Sequence, residues 1–464
     1  MLTPKETRLV LENALAMGVD FAEVFFEDRE DVTINYDGMV DGVAGIHIYG
    51  AGLYMMLGTR RVYVYTSEPK LDSLTEAVRI GCGLLRLSGN KNISMSHFVE
   101  LSLTNPCPVK IYPGTVSHAK KIAILKDANK AAHDISTAVK NIKITYFDRD
   151  QRIIVANTEG LWAEDRRVTG RIRFIPVVSN EYGTASHFFD CCASAGFEMF
   201  ESETHIDRLK KTITRMENSI TAREAPSARV SVILEGGCCS GTFFHEACGH
   251  QLETTTLARG GMFFDRRGEM IASPKVTLID DGTMPGMYGS SSIDDEGMPR
   301  QKNVLIENGI LKGFMADRLG ALKLKVPRTG SGRRQDYAHA PGARMSNTYI
   351  ALGTDDEDAM IRDTEEGIFV TEIGGGTGGR EFTLFASTAY WIKHGEIVCQ
   401  VKGAMLLGRG DETMKKIDRV GKKLIIDKDG GSFCGADSGF CATTTSGARI
   451  RIAEMVIGGK GGKI

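Results

Sequence analysis

The sequence predicts an α+β N-terminal domain, residues 1–225, followed by a β-rich C-terminal domain, residues 226–464. Three observations lead there. Strand-like runs alternate with helical runs over the first half, the pattern of layered α+β structure. Glycine is uneven: of 53, 15 fall in residues 1–225 and 38 in 226–464, so the second half needs many turns and close backbone approaches. Beyond residue 226 the remaining runs are mostly strand-like, with one helical stretch near residue 245.

The elements follow in order. Thr3 caps a helix over 3–18, Glu6 completes a capping box, and Gly18 stops it. Leu11, Ala14 and Leu15 recur at helical spacing. Phe21–Asp28 reads as a strand, and short β segments continue to Tyr65. Helix returns over 71–88 and over 115–140, where Ile122, Leu125, Ala128 and Ala132 form one stripe. Strands are expected at Lys143–Asp148, Arg152–Ala156, Thr169–Ser179 and His187–Cys191. Residues 203–222 form a polar amphipathic helix, and Ala225-Pro226-Ser227 reads as a linker. Then come a strand at Arg229–Leu234, a glycine turn and a helix. Further strands are expected at Lys275–Asp280, Asn303–Glu307, Gly367–Glu372, Phe382–His394 and Glu396–Lys402.

Composition narrows the function classes. A chain of 464 residues divides into roughly two or three domains at about 150 residues each. It is 42% hydrophobic and 25% charged, with formal net charge −2, which excludes a disordered chain, a coiled coil and a collagen-like fibre. A near-neutral balance gives no reason to expect a nucleic-acid partner. No apolar run approaches the ~18 residues of a membrane span, and the first residues lack the apolar core of a signal peptide. The chain therefore reads as soluble and cytoplasmic, with no membrane partner. Its ten cysteines contain no C-x-x-C pair and read as reduced, mostly buried thiols.

The strongest chemistry is His245-Glu246-Ala247-Cys248-Gly249-His250, an H-E-x-x-x-H motif one residue longer than the zincin H-E-x-x-H. Histidines five apart on a regular helix point about 140° apart and cannot share a metal. A π-bulge or an irregular helix end at Gly249 is therefore expected. With it, the β-rich domain carries a metal-binding helix. A catalytic zinc takes about three protein ligands and keeps a site for water. Glu246 then stands where a general base would take that water's proton. Cys248, Glu253, Cys434 and Cys441 are all candidates for the third ligand, and spacing does not choose among them. The plain alternative is a solvent-facing helix with two ordinary histidines.

FFHEACGHQLE (243–253) resembles the motif of the TldD/PmbA family of metallopeptidases, in its TldD branch. Residues 278–321, 329–350 and 372–379 are similar to further TldD blocks, as is GVDFAEVFFED (18–28). The resemblance implies one zinc held by His245, His250 and Cys434, with Glu246 as general base; iron or cobalt suits the same donors. It implies a cavity that admits unfolded or flexible peptides. It also implies a heterodimer with a PmbA/TldE-like subunit that lacks the metal motif, or a homodimer in its absence. Two departures stand out. The C-terminal motif C-G-x-x-G is here one residue longer, C-G-A-D-S-G, and Cys248 replaces a usual aliphatic residue. The doublet Cys238-Cys239 is a further oddity.

Other constellations are weaker. Gly374, Gly376 and Gly379 satisfy G-x-G-x-x-G, but a strand follows where a dinucleotide fold needs a helix. This glycine run fits better as bare backbone along which an extended substrate pairs. Arg333, Arg334, Asp336, Tyr337 and His339 could bind a substrate carboxylate or an oxyanion, or simply salt-bridge a loop. Asp280-Asp281 and Asp294-Asp295-Glu296 read as turns and hairpin ends. The functional expectation is a zinc-dependent peptidase. The alternative is a non-catalytic scaffold subunit completing a partner's cavity, and metal-dependent hydrolysis of a non-peptide amide is a third class.

Overall fold

The computed structural model describes residues 1–89, 92–428 and 430–464. It is mixed α/β with a β-rich C-terminal part. In the first half the order is α1 (Pro4–Met17), β1 (Phe21–Asp37), β2 (Val40–Leu57), β3 (Arg60–Thr66), α2 (Leu71–Leu84), β4 (Val99–Leu101), α3 (His118–Ile135), β5 (Val139–Asn157), β6 (Leu161–Asn180), β7 (Gly183–Ser186), β8 (Phe189–Ala193) and α4 (Thr204–Ile220). The strands make one eight-stranded sheet in the order β3-β2-β1-β5-β6-β4, with β7 and β8 also on β6. The helices α1 and α2 bury Val10, Leu11, Leu74 and Val78 against Val24, Phe26 and Leu53 of the sheet. Farther along, α3 and α4 bury Leu125, Ala128, Leu209 and Ile213 against Ile144, Tyr146 and Phe174.

The capping box at Thr3 and Glu6 and the stop at Gly18 form as expected. The strands are longer than expected. The sequence separates strands at Lys143–Asp148 and Arg152–Ala156, yet β5 runs straight through Arg149-Asp150-Gln151. Lateral partners make this possible. Arg149 donates to both oxygens of Asp31 at 2.8 and 2.9 Å, Arg166 to both oxygens of Asp150 at 2.9 and 2.6 Å, and Gln151 to Glu27 at 2.7 Å. Phe21–Asp28 likewise extends to Asp37, paired with β2 and β5 along its length. The expected helix over 115–140 is shorter, because Ser117 caps it and residues from Val139 join the sheet.

The second half contains β9 (Arg223–Glu224), β10 (Ala228–Leu234), α5 (Cys238–Ala247), α6 (Thr254–Leu257), β11 (Leu278–Asp281), β12 (Lys302–Glu307), β13 (Ile310–Leu311), α7 (Arg318–Leu324), β14 (Gly332–Arg333), β15 (Gly342–Ala343), β16 (Asn347–Ile350) and α8 (Glu357–Arg362). It ends with β17 (Glu366–Thr377), β18 (Glu381–Lys393), β19 (Glu396–Lys402), β20 (Ala404–Arg409), α9 (Gly410–Thr413), β21 (Ile417–Ile425), β22 (Ser432–Ala436) and β23 (Gly439–Gly458). Thirteen strands form the main sheet, with the path β13-β12-β11-β16-β23-β10-β17-β18-β19-β9. The core includes Phe243, Phe244 and Ala247 of α5 packed with Val232, Val370, Phe382, Leu384 and Ile450 of the sheet. Of the expected strand Lys275–Asp280, only Leu278 onward is paired.

Ala225-Pro226-Ser227 is not a free linker. The Ala225 N–H donates to Lys402 O at 2.9 Å, and Ser227 Oγ donates to Gly459 O at 2.9 Å. The two halves share an apolar cluster of Phe25, Ile153, Val155, Ala163 and Ile293. Among the described residues, no helix is long and apolar enough to cross a membrane.

Candidate metal centre

The site is built on the end of α5. Phe243, Phe244 and Ala247 anchor the helix in the core, while His245 and Glu246 line a cavity. The α-helix stops at Ala247, and Cys248 at φ −146° leaves the helical region. A 3-10 turn, Gly249–Leu252, carries His250 in a new direction. The interruption is therefore an irregular helix end rather than a π-bulge. Gly249 packs closely there: a Cβ would lie 2.4 Å from Met345 Sδ, so a larger residue would make that side chain shift.

The third group comes from far along the chain. Cys434 sits on β22, paired in register with Cys441 on β23. Its Sγ lies 3.3 Å from His245 Nε2 and 3.4 Å from His250 Nε2. The donor atoms of His245, His250 and Cys434 all lie within 4.8 Å of one another, and the two rings are nearly perpendicular at 85°. These donors fit a metal ion: tetrahedral zinc, with bonds of about 2.3 Å to sulfur and about 2.0–2.1 Å to nitrogen, spaces S and N about 3.5 Å apart. Burial alone would raise the Cys434 thiol, but hydrogen bonds to His245 and His250 and their charge hold it down to about 5. Burial would lower His250, but its contacts with Cys434 and Glu253 push it up to about 11. The contacts with the two histidines thus favour the thiolate, the form that ligates metals.

A buried brace orients these groups. Glu253 Oε2 is 3.4 Å from His250 Nδ1, and Glu253 Oε1 accepts from the Met345 N–H at 3.2 Å. Arg344 pairs with Glu253 at 3.7 Å, donates to Gly439 O at 2.8 Å and also donates to Cys434 O. One arginine therefore ties the Cys434 hairpin to the acid behind His250. Sequence reasoning passed over Arg344, since nothing local marks an arginine that will be buried.

The remaining thiols lie outside the donor set. Cys248 is fully buried, with its sulfur on Phe244 O at 3.4 Å, and desolvation raises its pKa well above the usual thiol value. Cys441 is buried 3.9 Å from Arg344, Cys238 lies against Thr445 at 3.4 Å, and Cys239 bonds Val370 O at 3.4 Å. None of the ten cysteines is in a disulfide, and eight of them are buried.

The cavity lined by His245, His250 and Cys434 holds about 580 Å³. Its walls come from both halves: His187, Phe189, Asp190, Arg208 and Thr212 on one side, and Glu246, Cys434 and the run Glu372–Gly378 on the other. The strand β17 pairs with β18 along its length, but β10 covers it only at Gly367–Val370. Among the described residues, the second edge of 371–377 has no partner strand. A smaller cavity of about 320 Å³ lies adjacent and shares His250, Gly378 and Gly435 with the first.

Sequence comparison matches residues 111–225 to the PmbA/TldA metallopeptidase central domain and 227–459 to its C-terminal domain. A metalloprotease TldD homolog of Haemophilus influenzae is 31% identical over 95% of this chain and 93% of its own. The chain belongs to the PmbA/TldD family of metallopeptidases. Its fold is shared with a Thermotoga maritima protein described as a candidate modulator of DNA gyrase, TM-score 0.75, 18% identity, covering 98% of this chain and 99% of that one. It is shared also with TldE of Thermococcus kodakarensis, TM-score 0.72, 17% identity, covering 97% and 99%.

In this PmbA/TldD chain the Arg333–His339 loop is structural. Arg334 is buried against Glu23 at 2.8 Å and Tyr63 Oη at 3.0 Å, Arg333 donates to Met345 O at 2.6 Å, and His339 pairs with Asp336 at 2.7 Å. Arg334 thus joins the two halves and does not line the cavity. Asp294 closes a turn, accepting from Glu296 and Met298 N–H groups at 2.9 and 2.8 Å. Asp280 and Asp281 instead lie within β11, where Asp280 accepts from Ser346 and Thr348. The glycine run leads into β18, not a helix.

Proposed function

We propose that this chain is a zinc-dependent peptidase acting on unfolded or flexible peptides, with His245, His250 and Cys434 as metal ligands and Glu246 as general base. The observation that carries the reading is the approach of Cys434 Sγ to both imidazole Nε2 atoms at 3.3 and 3.4 Å. A zinc ion in that donor set supplies a water acidified toward neutrality and polarisation of the scissile carbonyl. Glu246 takes the proton of the attacking water and delivers it to the leaving amine nitrogen. The free edge of 371–377 holds the substrate as an added strand, through main-chain hydrogen bonds that tolerate many sequences. Flexible chains suit such a trough, since a folded domain has no free strand to offer. The homologues named metalloproteases support the reaction class, and the division at residue 225 is kept for the two domains. A partner of the same fold, of the PmbA/TldE kind, is consistent with the likeness to TldE.

The test is metal content per chain for the purified protein and for Cys434→Ala and Cys248→Ala, with hydrolysis of an unstructured peptide by the parent and by Glu246→Gln. About one zinc per parent chain, lost only with Cys434, together with hydrolysis lost in Glu246→Gln, is the expected result. Loss only with Cys248 redraws the site around a local ligand. No metal, even after zinc is supplied, leaves a scaffold subunit.

A further inference from the structure

Among the described residues, one cation in the larger cavity has no hydrogen-bonded partner. Arg208 of α4 is, among the described residues, the sole arginine or lysine lining that cavity. Among the described residues its ionic contact is Asp427 at 3.5 Å, too long for a charge-assisted hydrogen bond of about 2.7–2.9 Å. Neighbouring arginines are engaged: Arg171 and Arg173 donate to Asp190 at 2.7–2.8 Å, and Arg215 donates to Glu372. Arg208 keeps 31% of its side chain open, beside the Phe189 ring at 5.8 Å. Arg208 and Thr212, one turn apart on α4, line the cavity, and Arg215 a turn further on pairs with Glu372 of β17, which lines it from the other side. A chain laid along the edge 371–377 therefore runs toward α4.

We propose that Arg208 is a specificity-determining residue that binds a carboxylate of the bound peptide, taking it in place of Asp427. Its planar guanidinium offers donors in a fork that matches a carboxylate, and among the described residues it is the loosely held Asp427 that competes for them. The carboxylate comes from an Asp or Glu side chain or from the peptide's C-terminus. The inference rests on the peptidase reading.

The experiment uses zinc-loaded parent, Arg208→Gln, Arg208→Glu and Asp427→Asn. Short unstructured fluorogenic peptides carry one Glu, or Gln in its place, walked through each position, with the C-terminus free or amidated. The parent is expected to favour the carboxylate-bearing peptide about tenfold or more, chiefly through KM. Arg208→Gln brings the ratio near one, Arg208→Glu inverts it toward a Lys-bearing peptide, and Asp427→Asn raises it. A Glu/Gln difference assigns the carboxylate to a side chain, and a free/amide difference assigns it to the C-terminus. Thermal midpoint and zinc content separate a lost fold from lost recognition. Binding of the same peptides is read in parallel by fluorescence anisotropy. Absence of cleavage overturns the peptidase reading, whereas binding without carboxylate preference, or a preference that survives Arg208→Gln, overturns the role of Arg208.

Discussion

Gly378 packs directly on Glu246: a Cβ at 378 would lie 2.5 Å from Glu246 Oε2 and 2.6 Å from its carbonyl oxygen. Gly376 is nearby, with its Cβ position 3.4 Å from Glu246 Cγ. The glycine run thus sets where this carboxylate can stand. Gly378→Ala should lower kcat/KM for peptide hydrolysis about 100-fold by displacing Glu246. Zinc content should stay near the parent's, because Glu246 lies outside the donor set. A variant with parental activity would show that Glu246 has no fixed place in the reaction.

Glu253 stands behind His250. Glu253→Gln keeps its shape but removes the charge that orients the ring. Zinc affinity, measured by chelator competition, should fall about 10–100-fold. Unchanged affinity would mean that the 3-10 turn alone positions His250.

Gly375 lies on the open edge at φ +152°, with nothing within 4 Å of its Cβ position. A side chain there meets no neighbour but strains the backbone and projects beside the substrate strand. Gly375→Val should raise KM more than it lowers zinc content. Equal losses of both would argue that the run supports the metal rather than the peptide.

Asp190 gives a pH signature. Burial raises its pKa, but hydrogen bonds from Arg173 and Arg171 and their charges outweigh burial, so the carboxyl lies below its usual 3.8. The stabilisation is present above pH 3.8 and is lost as pH falls through the lower folded value. Asp190→Asn should cost about 2 kcal/mol at pH 7 in urea unfolding. The difference should shrink as the pH drops below 3.8. A gap independent of pH would assign the loss to packing.

Helix ends and the motif are local, and the sequence shows them: Thr3, Glu6 and Gly18 bound α1 within a residue of its observed limits. Long strands are harder to see: Arg149, Asp150 and Gln151 fall between two expected strands, and their partners Asp31, Arg166 and Glu27 arrive from other strands. The same limit governs the site. His245, Glu246 and His250 are neighbours in sequence, whereas Cys434 comes from 184 residues beyond His250, and only family resemblance singled it out. Arg344 and Arg208 matter through partners on other elements, which no local pattern encodes.

The termination of α5 at Ala247 puts the two histidines on different elements. His245 sits on a helix packed into the core, and His250 on a short turn tied through Glu253 and Arg344 to the Cys434 hairpin. Deleting one residue to recover regular i, i+4 spacing would not repair an imperfect motif. It would drag His250 round the axis and away from Glu253, and pull Gly249 out of its contact with Met345. The extra residue in H-E-x-x-x-H is what the change from helix to 3-10 turn consumes before both imidazoles reach Cys434.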